Sequence, residues 1–513
     1  MDTRHRASLL FAFVLIVILL TGSGYAIPAF SRQYGTSCAT CHIDFPKLND
    51  FGKAFKDAGF KFPKDDETFI KIPPTMLGAP AQKELWPQKA IFPGTIPGMP
   101  QIGLRFNQFF QYTSGNANNY YQVPPGTAAG TPLFPTIPRT DFEAGYFSIF
   151  MAGNFGSDIA FWVDDDLSVS GLNANGALGD GYLRFGNIGR FLKLPTDALT
   201  MKVGQFELDL PFTQARSINI SPYDIYTEAN IGSSLSGQNV NNQFSMEDAA
   251  QGVEISGGHQ YGGYHYSLAI VNQNTSGGAA AAPSNVSSPA GFFSDSNFKD
   301  IYARFSYRFN LEKDPASRHD IQAAGATGPR DHTYLSLGSF YYYGRSVQRF
   351  ASGTETLLTA REPFYRVGGD FSFNYRTFNL FGLYMYGHDQ DQAFNGSYSG
   401  FMPGSAAKFN GGFLEADYLA LPWVMTILRW DRVQSTGDFL NGVNGTSSSN
   451  YYSPVGSARD RFTPGVQFLI HPNIKTSFEH QFRPQQTVYY NANGQAVSPF
   501  RTNTATGALE FVY

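Results

Sequence analysis

A mainly β fold is predicted: an antiparallel β-barrel of about sixteen strands, preceded by a small α-containing domain. Three observations carry this. From Gln101 to Tyr513, apolar and polar residues alternate with period two in segments of about ten to fourteen residues, and period two places successive side chains on opposite faces of a strand. The 513 residues are 42% hydrophobic and 16% aromatic but only 15% charged, with 47 Phe, 29 Tyr and 4 Trp. A soluble domain carries about 25% charge, so this composition suits a β-protein that faces lipid. Finally, short turns alternate with long Gly/Ser/Asn/Pro-rich loops, the asymmetry of a membrane barrel. The net charge of −4 supplies no basic field, which excludes a nucleic-acid partner. A single long apolar run excludes a polytopic helical membrane protein.

That run opens the chain. Met1–Arg6 is basic, Ala7–Leu20 is apolar throughout, and Thr21–Ala26 is small and polar apart from Tyr25. Fourteen helical residues span roughly 21 Å, short of a ~30 Å hydrocarbon core. Residues 1–26 therefore read as a secretory signal peptide, the alternative being an uncleaved anchor.

Residues 27–100 form the next unit, and they hold both cysteines of the chain, as Cys38-Ala39-Thr40-Cys41-His42. C-x-x-C-H is the attachment motif of a c-type haem. Two thiols at this spacing reach both vinyl groups from one turn of chain, and the adjacent His42 supplies an axial nitrogen to the iron. A disulfide redox pair would sit beside a βαβ pattern, and a zinc site would need further ligands; neither is present in the sequence. One covalently bound c-type haem on Cys38, Cys41 and His42 is expected.

After the motif, Phe45-Pro46 is expected to open a helix, with Leu48, Phe51, Phe55 and Ala58 at helical spacing and Gly59 as its C-cap. In so small a unit, the macrocycle would stand in for the missing core. Met76 is the first candidate for the second axial ligand and Met99 the runner-up, since no His besides His42 lies between residues 6 and 258. A Met ligand would raise the haem potential.

Residues 101–513 form the barrel. Strands are expected at 101–113, 141–154, 157–168, 178–187, 198–209, 250–259, 263–273, 298–309, 332–345, 363–375, 378–389, 410–419, 422–434, 459–470, 473–484 and 503–513. The even count suits a bacterial outer-membrane barrel. Long external loops are expected at 114–140, 213–249, 274–297, 346–362, 390–409, 435–458 and 485–502. The connection 310–331 is long where a short turn is required, so it is a periplasmic excursion or hides a hairpin. Phe340-Tyr341-Tyr342-Tyr343 reads as part of an interfacial aromatic girdle, and Asp164-Asp165-Asp166 as a solvated acidic run facing the lumen. No Ser-His-Asp order, Walker loop or zinc-type cluster stands out, so hydrolytic chemistry has no support.

The stretch Phe30–His42, with Arg32, Gln33, Gly35, Cys38, Cys41 and His42, continues into Pro46, Leu48, Asn49, Phe51 and Gly52. It resembles the fused monohaem cytochrome–porin family, which includes outer-membrane cytochromes of iron-oxidising bacteria. The iron-oxidase form of the motif reads Ala-Arg-Gln-Thr-Gly, whereas this chain carries Ser31 and Tyr34. The resemblance implies an outer-membrane protein whose cytochrome domain sits in the barrel lumen or on its periplasmic side. It implies electron transfer from an extracellular donor, Fe(II) foremost, to a periplasmic cytochrome or copper protein. The competing expectations are a porin for small solutes with a haem-containing plug, and electron export to an external acceptor.

Overall fold

The structure, a computed structural model, describes most of the chain between Ala29 and Val512. Residues 1–28, 114–138, 169–176, 228–245, 273–297, 312–332, 390–406, 436–458 and 484–488, with shorter stretches elsewhere, lie outside it. Sixteen strands form one closed antiparallel barrel. In chain order they are β1 Gln101–Thr113, β2 Arg139–Phe155, β3 Ile159–Ser168, β4 Ala177–Phe185, β5 Thr200–Phe206, β6 Ala250–Gly258, β7 Gly263–Val271 and β8 Asp300–Asn310. The second half comprises β9 Tyr334–Ser352, β10 Glu355–Tyr375, β11 Phe378–Asp389, β12 Ala407–Leu421, β13 Val424–Ser435, β14 Arg459–His471, β15 Ile474–Gln481 and β16 Thr504–Val512. Each strand pairs with its sequence neighbours, and β16 returns to β1 through pairs such as Phe511 with Phe106. Closure leaves no unpaired edge, the condition for a sheet surrounded by lipid.

Period two sorts the side chains. On β8, Asp300, Tyr302, Arg304 and Arg308 are buried in the lumen, while Ile301, Phe305, Tyr307 and Phe309 are exposed on the outer wall. The outer face is apolar around the barrel, with Leu268, Leu337, Tyr384, Leu428 and Leu509 exposed in the same way. The inner face carries the charges. β8 and β9 pair directly, and nearly all of the connection 310–331 lies outside the described residues.

Two expected loops are corrected. The loop at 346–362 is largely strand, because β9 and β10 stay paired out to Ser352 and Glu355. The strand expected at 198–209 ends at Phe206, and the loop at 213–249, expected outside, turns back into the barrel over its described residues: Tyr223, Ile225 and Tyr226 are buried there, beside Leu208 and Leu210. Nor is Phe340–Tyr343 simply a girdle. Phe340 and Tyr342 are buried inside and Tyr341 is exposed outside, as strand alternation requires.

The N-terminal unit has α1 (Ala29–Tyr34), a 3-10 turn over Cys38–Thr40, and α2 (Asp50–Asp57). The helix expected from Phe45-Pro46 begins later. His42–Asp44 and Lys47–Leu48 pair as a short hairpin with Pro46 between them, and Asn49 caps α2 by accepting the Gly52 N–H at 2.9 Å. Gly59 (φ +77°) ends the helix as expected. The apolar stripe packs on aromatic side chains: Phe51 and Phe55 join Tyr34, Phe60, Phe62 and, from the wall, Ala152, Ala160 and Trp162. Phe60 holds a left-handed φ of +61°, with its ring stacked on Phe30 and Trp162.

Candidate functional site

The C-x-x-C-H turn is held by the helix that follows it. The Cys41 N–H reaches the Cys38 carbonyl at 3.1 Å, closing the turn, and the Asn49 N–H donates to the Cys41 carbonyl at 3.0 Å. The Asn49 side-chain amide also donates to the carbonyls of Ala39 and Thr40, each at 3.1 Å. Asn49 therefore joins turn and helix through both backbone and side chain. Gly52 permits the contact, since a Cβ there would fall 2.1 Å from the Cys41 carbonyl oxygen.

Burial sets the chemistry of the donors. It pushes the His42 imidazole down to about 4, so the ring is neutral with a nitrogen lone pair. Burial raises the Cys38 thiol, and burial with the nearby Cys38 pushes Cys41 up to about 12. Protonated, half-buried thiols are unlike the low-pKa thiolates of redox pairs. Two thiols on one turn beside a neutral imidazole form the donor set that a c-type haem takes.

Ion pairs fix this unit inside the lumen near the end bearing the short turns. Arg308 of β8 grips Asp50 with two hydrogen bonds of 2.6 and 2.7 Å. The Lys47 ammonium lies 2.5 Å from Asp417 of β12 and 2.9 Å from Asn379 of β11. The Asp417 side reinforces the Lys47 positive charge, outweighing burial, which opposes it. Lys53 stands over the Tyr334 ring, and Arg32 donates to the Ile102 carbonyl at 3.3 Å. Sequence reasoning named none of these anchors, because each joins residues far apart in the chain.

Met76 lies on a short strand, Pro74–Met76, paired with Thr95–Pro97. It is 51% exposed and outside the aromatic cluster around the motif, while Met99 lies outside the described residues. The acidic run divides between faces: Asp164 has the parity of Ala160 and Trp162, and Asp165 has the opposite one. The Asp164 carboxylate accepts the Asp180 N–H.

No family model matches the chain, and no curated protein sequence is similar to it. Among solved structures, similar barrels include an anion-selective porin from Comamonas acidovorans, with 10% identity, TM-score 0.45, and coverage of 81% of this chain and 99% of that one. OprB of Pseudomonas putida has 10% identity and a TM-score of 0.44 over 80% of this chain and 94% of its own. OmpF of Salmonella typhi has 10% identity and a TM-score of 0.43 over 81% and 98%.

Proposed function

We propose that this chain lies in a bacterial outer membrane and carries electrons from an extracellular donor, Fe(II) foremost, to a periplasmic cytochrome or copper protein. The observation that carries this reading is the C-x-x-C-H turn, with its neutral His42 and protonated thiols, anchored inside a barrel with an apolar outer wall. Cys38 and Cys41 would hold the haem by thioether bonds, and His42 would ligate its iron. Bound there, the haem supplies a one-electron Fe(III)/Fe(II) centre. The chain's own contribution is position: Asp50 and Lys47 hold the motif between the two ends of an insulating wall. Met76 is proposed as the second residue that would ligate the iron.

The test is a visible spectrum of the purified, oxidised protein before and after Fe(II) is added. A reduced c-type α-band appearing promptly supports the reading. A haem reduced by dithionite but indifferent to Fe(II) across pH removes Fe(II) as donor and favours electron export to an external acceptor. Cys38→Ala is expected to abolish normal covalent haem staining, and Met76→Ala to shift the potential and spectrum. A normal stain or an unchanged spectrum would remove the respective assignment. The second reading is a porin for small solutes with a haem-containing plug. The charged inner wall of a sixteen-strand barrel favours it, since such barrels hold an aqueous channel.

A further inference from the structure

The segment after β5 enters the lumen and crosses it. Asp209 is held by His265 of β7 at 2.9 Å and Arg304 of β8 at 3.8 Å, whereas the polar contacts of residues 218–224 lie on β12 to β15 and on Arg483 just beyond. β13 is eight strands from β5 in a barrel of sixteen, the diametrically opposite wall. We propose that residues 216–226 are a partition that closes the barrel, latched on the far wall by Asp224, so that the folded chain passes no ion current.

The latch is dense. The Asp224 carboxylate sits 2.9 Å from Arg461 and 3.2 Å from Arg483, while its N–H donates to Asp431 at 3.1 Å. Arg429 is fully buried; it donates to the Ser221 carbonyl at 3.0 Å and the Ser221 hydroxyl at 2.6 Å, and pairs with Asp431 at 2.9 Å. The Glu479 carboxylate accepts the N–H groups of Ile220 and Ser221 at 2.6 and 3.0 Å. Asn219 donates to Glu415 at 2.8 Å, and Gln467 donates to the Ile218 carbonyl. Groups buried this deeply are tolerated only when paired and hydrogen-bonded. Wall and strap therefore complete each other, and withdrawing the strap would strip Arg429 and Glu479 of these bonds.

Apolar packing flanks the latch and continues to the near wall. Tyr223 stacks on Phe413 at 4.0 Å, and Leu208, Leu210 and Ile225 join a cluster reaching Val271, Tyr302 and Val433. Below, Ile218 meets Leu419, Met425 and Ile427, against which Ile43 of the motif hairpin also packs. Strap and N-terminal unit thus abut and obstruct the lumen together. The inference does not rest on the electron-transfer reading, and it counts against solute flux in this state.

Planar-bilayer recording of the purified full chain tests it, with an open sixteen-strand porin as control. Wild type is expected to carry less than about one tenth of the control conductance, and Asp224→Ala/Glu479→Gln to raise the current about tenfold or more. Ser221→Ala removes hydrogen bonds from Arg429 and Glu479 without unpairing a charge, and a smaller rise is expected. A wild-type conductance matching the control overturns the proposal. So does unchanged silence in both variants, once heat-modifiable gel migration shows folded barrels. Haem content, read from the spectra of the same samples, tests the electron-transfer reading separately.

Discussion

Gly52 illustrates how a single residue decides whether turn and helix can meet. In an ordinary exposed helix, Gly→Ala stabilises by about 0.4–1 kcal/mol through the unfolded chain. Here the sign reverses, because the methyl would fall 2.1 Å from a backbone carbonyl, an atom that cannot swing away. Gly52→Ala is expected to lower the thermal midpoint and the yield of covalent haem. A raised midpoint with normal haem would show that turn and helix are not in contact. Asp224 gives a pH prediction at the same scale. Burial alone would raise its proton affinity, but Arg461, Arg483 and Arg429 outweigh that and hold it below the usual carboxylate range. A lowered folded-state value stabilises above the ordinary carboxylate pKa, and that stabilisation is lost as pH falls through the lowered one. Asp431, Glu479 and Glu415 face the same strap. The barrel is therefore expected to stay silent in bilayer recordings down to about pH 4 and to open only below it. Opening at neutral pH would contradict this. Spacing alone singles out the cysteines and His42 as candidates. It does not single out Lys47 and Asp50, since their partners lie 370 and 258 residues away.

Among the elements, α2 and the hairpin before it hang on charge pairs. Asp50→Asn leaves Arg308 buried beside a neutral partner, and breaking a buried pair costs about 3–5 kcal/mol. Partial retention of hydrogen bonds by the amide places the expected loss at the lower end. Limited proteolysis should then cut the N-terminal unit while the barrel resists, and equal resistance in both would count against the anchor. All sixteen strands were legible, most to within a few residues, because alternation persists wherever one face meets lipid and the other the lumen. It fails at the strap, where Ile218, Tyr223 and Ile225 stand among polar residues such as Asn219, Ser221 and Asp224, whose partners are supplied by the far wall. Loop composition marks a break in the wall without saying whether the chain leaves outward or folds inward. The hairpin at 42–48 escaped for a different reason: Pro46 suits the first turn of a helix as well as a bend, and the Asn49 cap decides between them.

For the whole molecule, the apolar belt and the charged lumen are one property of the same alternation. Phe305 lies midway along β8 and is 53% exposed on the outer wall. Phe305→Arg is expected to destabilise the folded barrel by about 2–4 kcal/mol in lipid. Denaturant unfolding from vesicles measures this, and a neutral effect would mean that the wall does not face hydrocarbon.

The anchors of the N-terminal unit also have a consequence in time. Arg32 and the Phe60 cluster meet β1 to β3, but the partners of Asp50 and Lys47 sit at Arg308, Asn379 and Asp417, so these anchors wait until much of the wall exists. Contacts of such long sequence separation form late. Until then the C-x-x-C-H turn is accessible, and once the wall assembles the turn is enclosed. On the haem proposal, attachment to Cys38 and Cys41 would belong to the interval before closure. Slowing barrel assembly would lengthen that interval, and speeding it would leave a larger share of chains sealed with bare thiols.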